Sequence, residues 1–432
     1  MINDESPSKN GGKSLRVAIL CTEKKPVPAA QGGAVETLVD LLIQNNEDHK
    51  QIELDVYSIY NREACVLSKN YPNTRFYSID RHSVLNPLFS LSNRLFHKCR
   101  IRTHRNIFLE RAAKELEKHV YDWVIIENRP YFVDTVKKHI PKSTHIALHL
   151  HNDVLGREHY YARHVIAACD RILSVSQYIH GRVIEAAANR KDRMKSTVLY
   201  NRIDVHKFSK RNRPVSLLRE RFRIPAGRTV IFYYGRVRQE KGVLELVHAF
   251  RKALEKDPAL HLVIVGEVIG DDFQIQLNAA IKALPAGHVS LMNYVDHAQI
   301  PDYLAGADIV ALPSLWQEAF GLTIAESMAM GKAIISTNIG AIPELLDGNC
   351  GLLVDNDGDL IDHLAEAIVK LAADPQLGKR LSANARKKAL TLFRSESYLS
   401  DLIERLKGPA ADKEKEASPL KFMRKDTPAA IR

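Results

Sequence analysis

The stretch EAFGLTIAE (residues 318–326) sets two carboxylates, Glu318 and Glu326, eight positions apart with Gly321 between them. On one continuous helix they would be turned by about 80° and separated by about 12 Å along the axis, too far to share a proton. The surrounding pattern divides the stretch differently. DIVALPS reads as a strand, LWQEAFG as a loop, LTIAESMAM as a helix ended by Gly331, and AIIST as the next strand. Glu318 then precedes the helix and Glu326 lies one turn inside it. The backbone N–H groups of Phe320, Gly321, Leu322 and Thr323 are the unpaired donors of the helix start. Donors flanked by two acceptors suit a ligand with hydroxyls at both ends and phosphate in the middle, as in a nucleoside diphosphate sugar.

A second constellation, YYGRVRQEKG, follows an apolar run and places Gly235, Arg236, Lys241 and Gly242 at the turn into a helix. A guanidinium fork, a mobile ammonium and a positive helix end are what a diphosphate requires. At an effective dielectric of 20, a unit-charge contact at 4 Å is worth about 4 kcal/mol before desolvation. The alternative is a solvated basic loop. QGGAVETL offers Gly32 and Gly33, either for close backbone approach to an anion or as a plain turn. HLHND closes a strand with His149 and His151 on one face and His151 nearer the end. No further His or Asp is spaced to complete a metal shell around them, so no metal is expected.

These groups need elements to hold them. LRVAILC, LDVYSI, DWVIIEN, THIALHLHND and RILSVS alternate with helical segments, the pattern of an α/β doubly wound half. A second series, TVIFYYGRV, HLVIVGE, VSLMNYV, DIVALPS, AIIST and GLLV, follows a basic, proline-containing linker within residues 201–228. The expected organisation is a flexible N-terminus (1–14), an N-terminal domain (15–208), a C-terminal domain (209–408) whose last helix packs back on the first, and a disordered tail (409–432). Ligands of such folds bind at the carboxyl ends of the strands. Sixty-two Lys and Arg against 51 Asp and Glu give a net charge of +11, which favours an anionic partner without choosing one. No recognition module accompanies the basic residues, which argues against nucleic acid. Five scattered cysteines read as buried thiols of a reducing compartment. No signal peptide or membrane span is evident, so a cytoplasmic protein with at most peripheral membrane contact is expected.

EAFGLTIAE resembles the glutamate-seven-glutamate motif of family-four retaining glycosyltransferases of the GT-B fold, in which two Rossmann-like doubly wound domains face each other across a cleft. GRVRQEKG resembles their Gly-Arg-x(4)-Lys-Gly segment. QGGAVETL, SVSQYIHGRV, YNRID and SMAMGKAIISTNIGAIPELL follow in the family order, so the likeness spans roughly residues 15–400. It implies a nucleotide-sugar donor as co-substrate, with no other cofactor and no metal. It implies that Glu318 meets the donor sugar hydroxyls, Glu326 the ribose, and Arg236 and Lys241 the diphosphate. The amides of Gly321, Leu322 and Thr323 would face phosphate and sugar, Gly32 and Gly33 would line the cleft, and His151 would sit near the reacting carbon. YNRID departs from many relatives in carrying Arg202 where they have glycine, which adds a charge near the cleft.

The segment 93–119 interleaves basic residues with Leu95, Phe96, Ile101, Ile107, Phe108 and Leu109, and is expected to form a basic amphipathic helix for an anionic membrane surface. The leading expectation is therefore a UDP-sugar-dependent transferase acting on a glycan or lipid-linked glycan of bacterial lipopolysaccharide or exopolysaccharide. A GT-B epimerase would convert donor without acceptor. A non-catalytic binding subunit would not need Arg236, Lys241, Glu318 and Glu326 together.

Overall fold

The computed structural model describes residues 14–83, 86–210, 213 and 217–408. Of the expected flexible ends, residues 1–13 and 409–432 lie outside the described residues. Two parallel sheets are built from apolar runs buried on both faces. The first contains β1 (Leu15–Leu20), β2 (Ile52–Ile59), β3 (Thr74–Ile79), β4 (Trp123–Glu127), β5 (His145–Leu150), β6 (Arg171–Ser174) and β7 (Ser196–Val198), in the order β3-β2-β1-β4-β5-β6-β7. The second contains β8 (Thr229–Tyr234), β9 (Leu260–Val265), β10 (Val289–Met292), β11 (Ile309–Leu312), β12 (Ala333–Thr337) and β13 (Leu352–Val354), in the order β10-β9-β8-β11-β12-β13. Both orders start at an inner strand, run outward, then return to grow on the other side. That is the doubly wound Rossmann arrangement.

Contacts group the chain into two compact units. One comprises Met1–His149, His164–Ile172 and Ser397–Ile403, and the other Leu150–Arg163, Leu173–Glu396 and Glu404–Arg432. A linear boundary at residue 208 follows chain order, whereas contacts interleave segments because the chain returns to its first unit near the C-terminus. In that unit the Leu399 amide donates to Asn45 Oδ1 at 3.5 Å.

Amphipathic helices cover the strands. The helix Val243–Lys256 buries Val243, Leu246, Val247, Phe250 and Leu254, a single apolar stripe. Gly242, at φ 66°, precedes it. The basic segment departs from expectation. Its helix runs Asn86–Lys98, Arg100 takes φ 55°, and a separate helix Ile107–Leu116 begins at an Asn106 cap. Ile107, Phe108 and Leu109 are buried in the unit's interior. Among the described residues of the region, the large apolar side chains of Leu88, Leu91, Leu95 and Ile101 are exposed. Of the cysteines, Cys21, Cys169 and Cys350 are buried, but Cys65 is half-buried and Cys99 exposed.

Candidate active site

In the second sheet, strand order reverses between β8 and β11, so the loops leaving their carboxyl ends flank a crevice. These loops carry Gly235–Gly242 and Pro313–Gly321. They are tied together through the backbone: the Leu315 and Trp316 amides donate to the Glu240 carbonyl at 2.9 and 3.2 Å. Gly242 approaches so closely that a Cβ there would lie 1.9 Å from the Pro313 carbonyl oxygen. From β12, the Ala341 amide donates to the Glu318 carbonyl at 2.8 Å and the Gly340 amide to Gln317 Oε1 at 2.7 Å. Three strand ends thus fix the backbone of Glu318.

Its side chain is equally constrained. Lys241 Nζ donates to Glu318 Oε1 at 2.5 Å, and Ser314 Oγ donates to the same oxygen at 2.8 Å. Arg236 is exposed beside them. The Tyr233 hydroxyl donates to the Arg236 carbonyl at 2.8 Å. Burial, and then the charge of Glu318, push the Tyr233 phenol far up, so it stays a donor.

The helix Leu322–Ala329 starts from Gly321, whose φ of 99° suits glycine. The Leu322 and Thr323 amides lie in its first turn, where a helix has no internal acceptors. Phe320 contributes its backbone here, while its ring is buried against Phe393, with centroids 5.3 Å apart. Glu326 lies one turn in and is only 5% exposed. Its Oε1 is 2.7 Å from His297 Nε2, and its Oε2 is 3.1 Å from the Tyr234 hydroxyl. Burial, reinforced by Glu326, raises the Tyr234 phenol well above its ordinary range.

At the ends of the first sheet, Gly32 and Gly33 have φ 60° and 121°, and Gly33 caps the helix Ala34–His49. His151 is buried just past β5. His149 contacts the carboxylate of Glu127, aligned with it on β4, at 3.2 Å. Donor atoms of Glu127, His149 and His151 all lie within 4.8 Å of one another. The sequence spacing around the two histidines shows no third donor, because Glu127 arrives from a neighbouring strand 22 residues earlier.

Three contributors escape the motif reading: Ser314, Tyr234 and His297. Their signal is position, since each sits at or just beyond the end of β11, β8 or β10. Arg202 has a structural contact of its own. It is buried and donates to the Leu392 carbonyl, so its charge serves the C-terminal end of the helix Pro375–Leu392.

Two sheets in Rossmann order, the second with an anion-ready helix start at its topological switch point, are the arrangement of the GT-B fold. Residues 214–388 match the family of glycosyl transferases group 1. The YtcC protein of Bacillus subtilis (strain 168) is 28% identical over 394 residues, covering 88% of each chain. The lipopolysaccharide 1,2-N-acetylglucosaminetransferase of Salmonella typhimurium is 34% identical over 151 residues, 33% of this chain and 39% of that protein. Among solved structures, Anabaena HepE in complex with UDP and glucose superposes with a TM-score of 0.67 at 19% identity, covering 91% of this chain and 99% of that one. Among the described residues, no helix is long and apolar enough to cross a membrane.

Proposed function

We propose that the protein transfers a hexose or N-acetylhexosamine, with retention and without a resident metal, from a nucleotide sugar to a glycan or lipid-linked glycan of the bacterial surface. The observation that carries this reading is the helix start at Gly321, held between the Lys241–Glu318 pair and the buried Glu326. Glu318 accepts from the sugar hydroxyls and Glu326 from the ribose. Arg236 and Lys241 stabilise the charge growing on the departing diphosphate. The sugar–phosphate C–O bond breaks on the face where the acceptor oxygen attaches, and the acceptor proton passes to the leaving phosphate. His151 borders the reacting carbon, and Gly32 and Gly33 give backbone access. UDP is the preferred base carrier, a choice supported by the HepE complex with UDP and glucose.

The acceptor side is assigned to the cytoplasmic face of an anionic membrane. Support comes from Leu88, Leu91 and Leu95, exposed along the helix Asn86–Lys98 beside Arg94, Lys98, Arg100, Arg102 and Arg105. A thermal-shift screen against UDP- and GDP-sugars tests the donor, because a ligand at 100 times its Kd adds about 2.7 kcal/mol of stability. No shift with either series rejects the reading. Incubating donor without acceptor separates the transferase from an epimerase, which alone would convert the sugar.

A further inference from the structure

We propose that Lys207 and His297 form a relay that orients and charge-balances Glu326, making both positioning residues for donor recognition. The inference rests on the reading of Glu326 as the ribose acceptor. Lys207 Nζ lies 3.1 Å from His297 Nδ1, and His297 Nε2 lies 2.7 Å from Glu326 Oε1. An ammonium only donates. His297 Nδ1 is therefore the acceptor in this contact, which places the Nε2 proton toward the carboxylate. The Tyr234 hydroxyl also faces Glu326 at 3.1 Å, but its one proton has a nearer acceptor in the Thr323 carbonyl at 2.6 Å. His297 is thus the firm donor to Glu326.

The arrangement answers an electrostatic problem. A carboxylate only 5% exposed needs a compensating cation. A cation in direct contact would occupy the oxygens a ligand must use. Routing the lysine charge through an imidazole binds Oε1 and leaves Oε2 to accept a hydroxyl. The relay is itself anchored. Asp204 Oδ1 accepts from the His206 and Lys207 amides at 2.9 Å, fixing the turn that delivers Lys207. The Phe208 ring packs against His297 with centroids 5.4 Å apart. The YNRID segment, which the donor-site assignment leaves without a task, supplies this turn through its aspartate.

The test measures binding of UDP, GDP and their 2′,3′-dideoxy forms to the full chain by titration calorimetry, together with donor KM and kcat. For His297→Ala and Lys207→Met, affinity for the ribonucleotide should fall about tenfold. The dideoxy form should be unaffected, and donor KM should rise with kcat largely kept. His297→Gln, which restores an N–H near the position of Nε2, should recover most of the loss. The control is Glu326→Gln. If that variant leaves the ribose-to-dideoxyribose preference intact, the ribose reading of Glu326 is wrong. If it abolishes the preference while His297→Ala and Lys207→Met retain it, the relay is wrong. Tighter ribonucleotide binding by His297→Ala would also overturn the relay, since the imidazole would then be a competitor for the carboxylate.

Discussion

Lys241 and Glu318, 77 residues apart in sequence, meet at 2.5 Å across the β8 and β11 loops. In the proposed function Lys241 is assigned to the diphosphate and Glu318 to the sugar. In the structure they are an ion pair, which a donor bound as proposed would have to share or open. Glu318→Gln releases Lys241 from its charged partner, so affinity for the bare nucleoside diphosphate should hold or increase while kcat falls by roughly 10²–10³. Lys241→Met should weaken diphosphate binding and turnover together. Calorimetry beside single-turnover kinetics separates these signs. Equal weakening of diphosphate binding in both variants would contradict the competition.

Gly242 sets the approach that makes this pair. A Cβ at Gly242 would overlap the Pro313 carbonyl at 1.9 Å, with φ at 66°. Gly227 has a similar positive φ of 84° but open space around it. Gly227→Ala should therefore cost only the backbone term, about 1–2 kcal/mol. Gly242→Ala should cost more, and should lose activity beyond its loss of folded protein because the Lys241 loop must move. Melting curves and activity well below the midpoint make the comparison.

Much of this organisation is legible in the sequence because buried parallel strands are continuous apolar runs. All six strands of the second sheet correspond to expected runs, from TVIFYY to LLV. The strands not anticipated, β3 and β7, are the edges of the first sheet. TRFYSI mixes exposed and buried residues and STV has only three, so neither carries the continuous signal of a central strand. The helix Pro375–Leu392 is also unanticipated, since it buries only Leu381, Ala385 and Ala389 within an otherwise polar run. In the site, Glu318, Glu326, Arg236 and Lys241 stand out because spaced motifs hold them. His297 and Glu127 do not, because their partners come from other strands and only the folded topology brings the donors together.

Lys332 supplies a stability test independent of catalysis. It is 3% exposed, and Nζ donates to the Ala305 and Ala307 carbonyls at 2.9 and 2.7 Å. Burial first, then the charge of Lys210, lower its pKa from 10.5 to about 7. Between those values the unfolded chain binds more protons than the folded one, so stability rises with pH. The gain is fully present above the unfolded pKa and is lost as pH falls toward 7. The slope from this group approaches 1.4 kcal/mol per pH unit at most, roughly. Lys332→Met removes it. Denaturant melts at pH 7, 8 and 9 should show wild type gaining on the variant with pH, and parallel profiles would contradict the assignment.

The membrane assignment makes a prediction about which residues matter. Leu88, Leu91 and Leu95 are 61%, 66% and 59% exposed at spacings of three and four, so they share one face of their helix. Full burial of a leucine contributes roughly 1.5–3 kcal/mol, whereas a basic residue at an anionic surface contributes about 1 kcal/mol. Replacing the three leucines with serine should therefore reduce flotation with phosphatidylglycerol vesicles more than replacing Arg94, Lys98 and Arg102 with glutamine. The two sets should also differ in salt response. Charge alone is screened within a Debye length of about 8 Å at physiological ionic strength. The leucine variant should thus retain only salt-sensitive binding, and the charge variant a weaker but salt-resistant residue. Unchanged flotation of the leucine variant in high salt would remove this helix from the membrane and return the acceptor question to the strand-end loops.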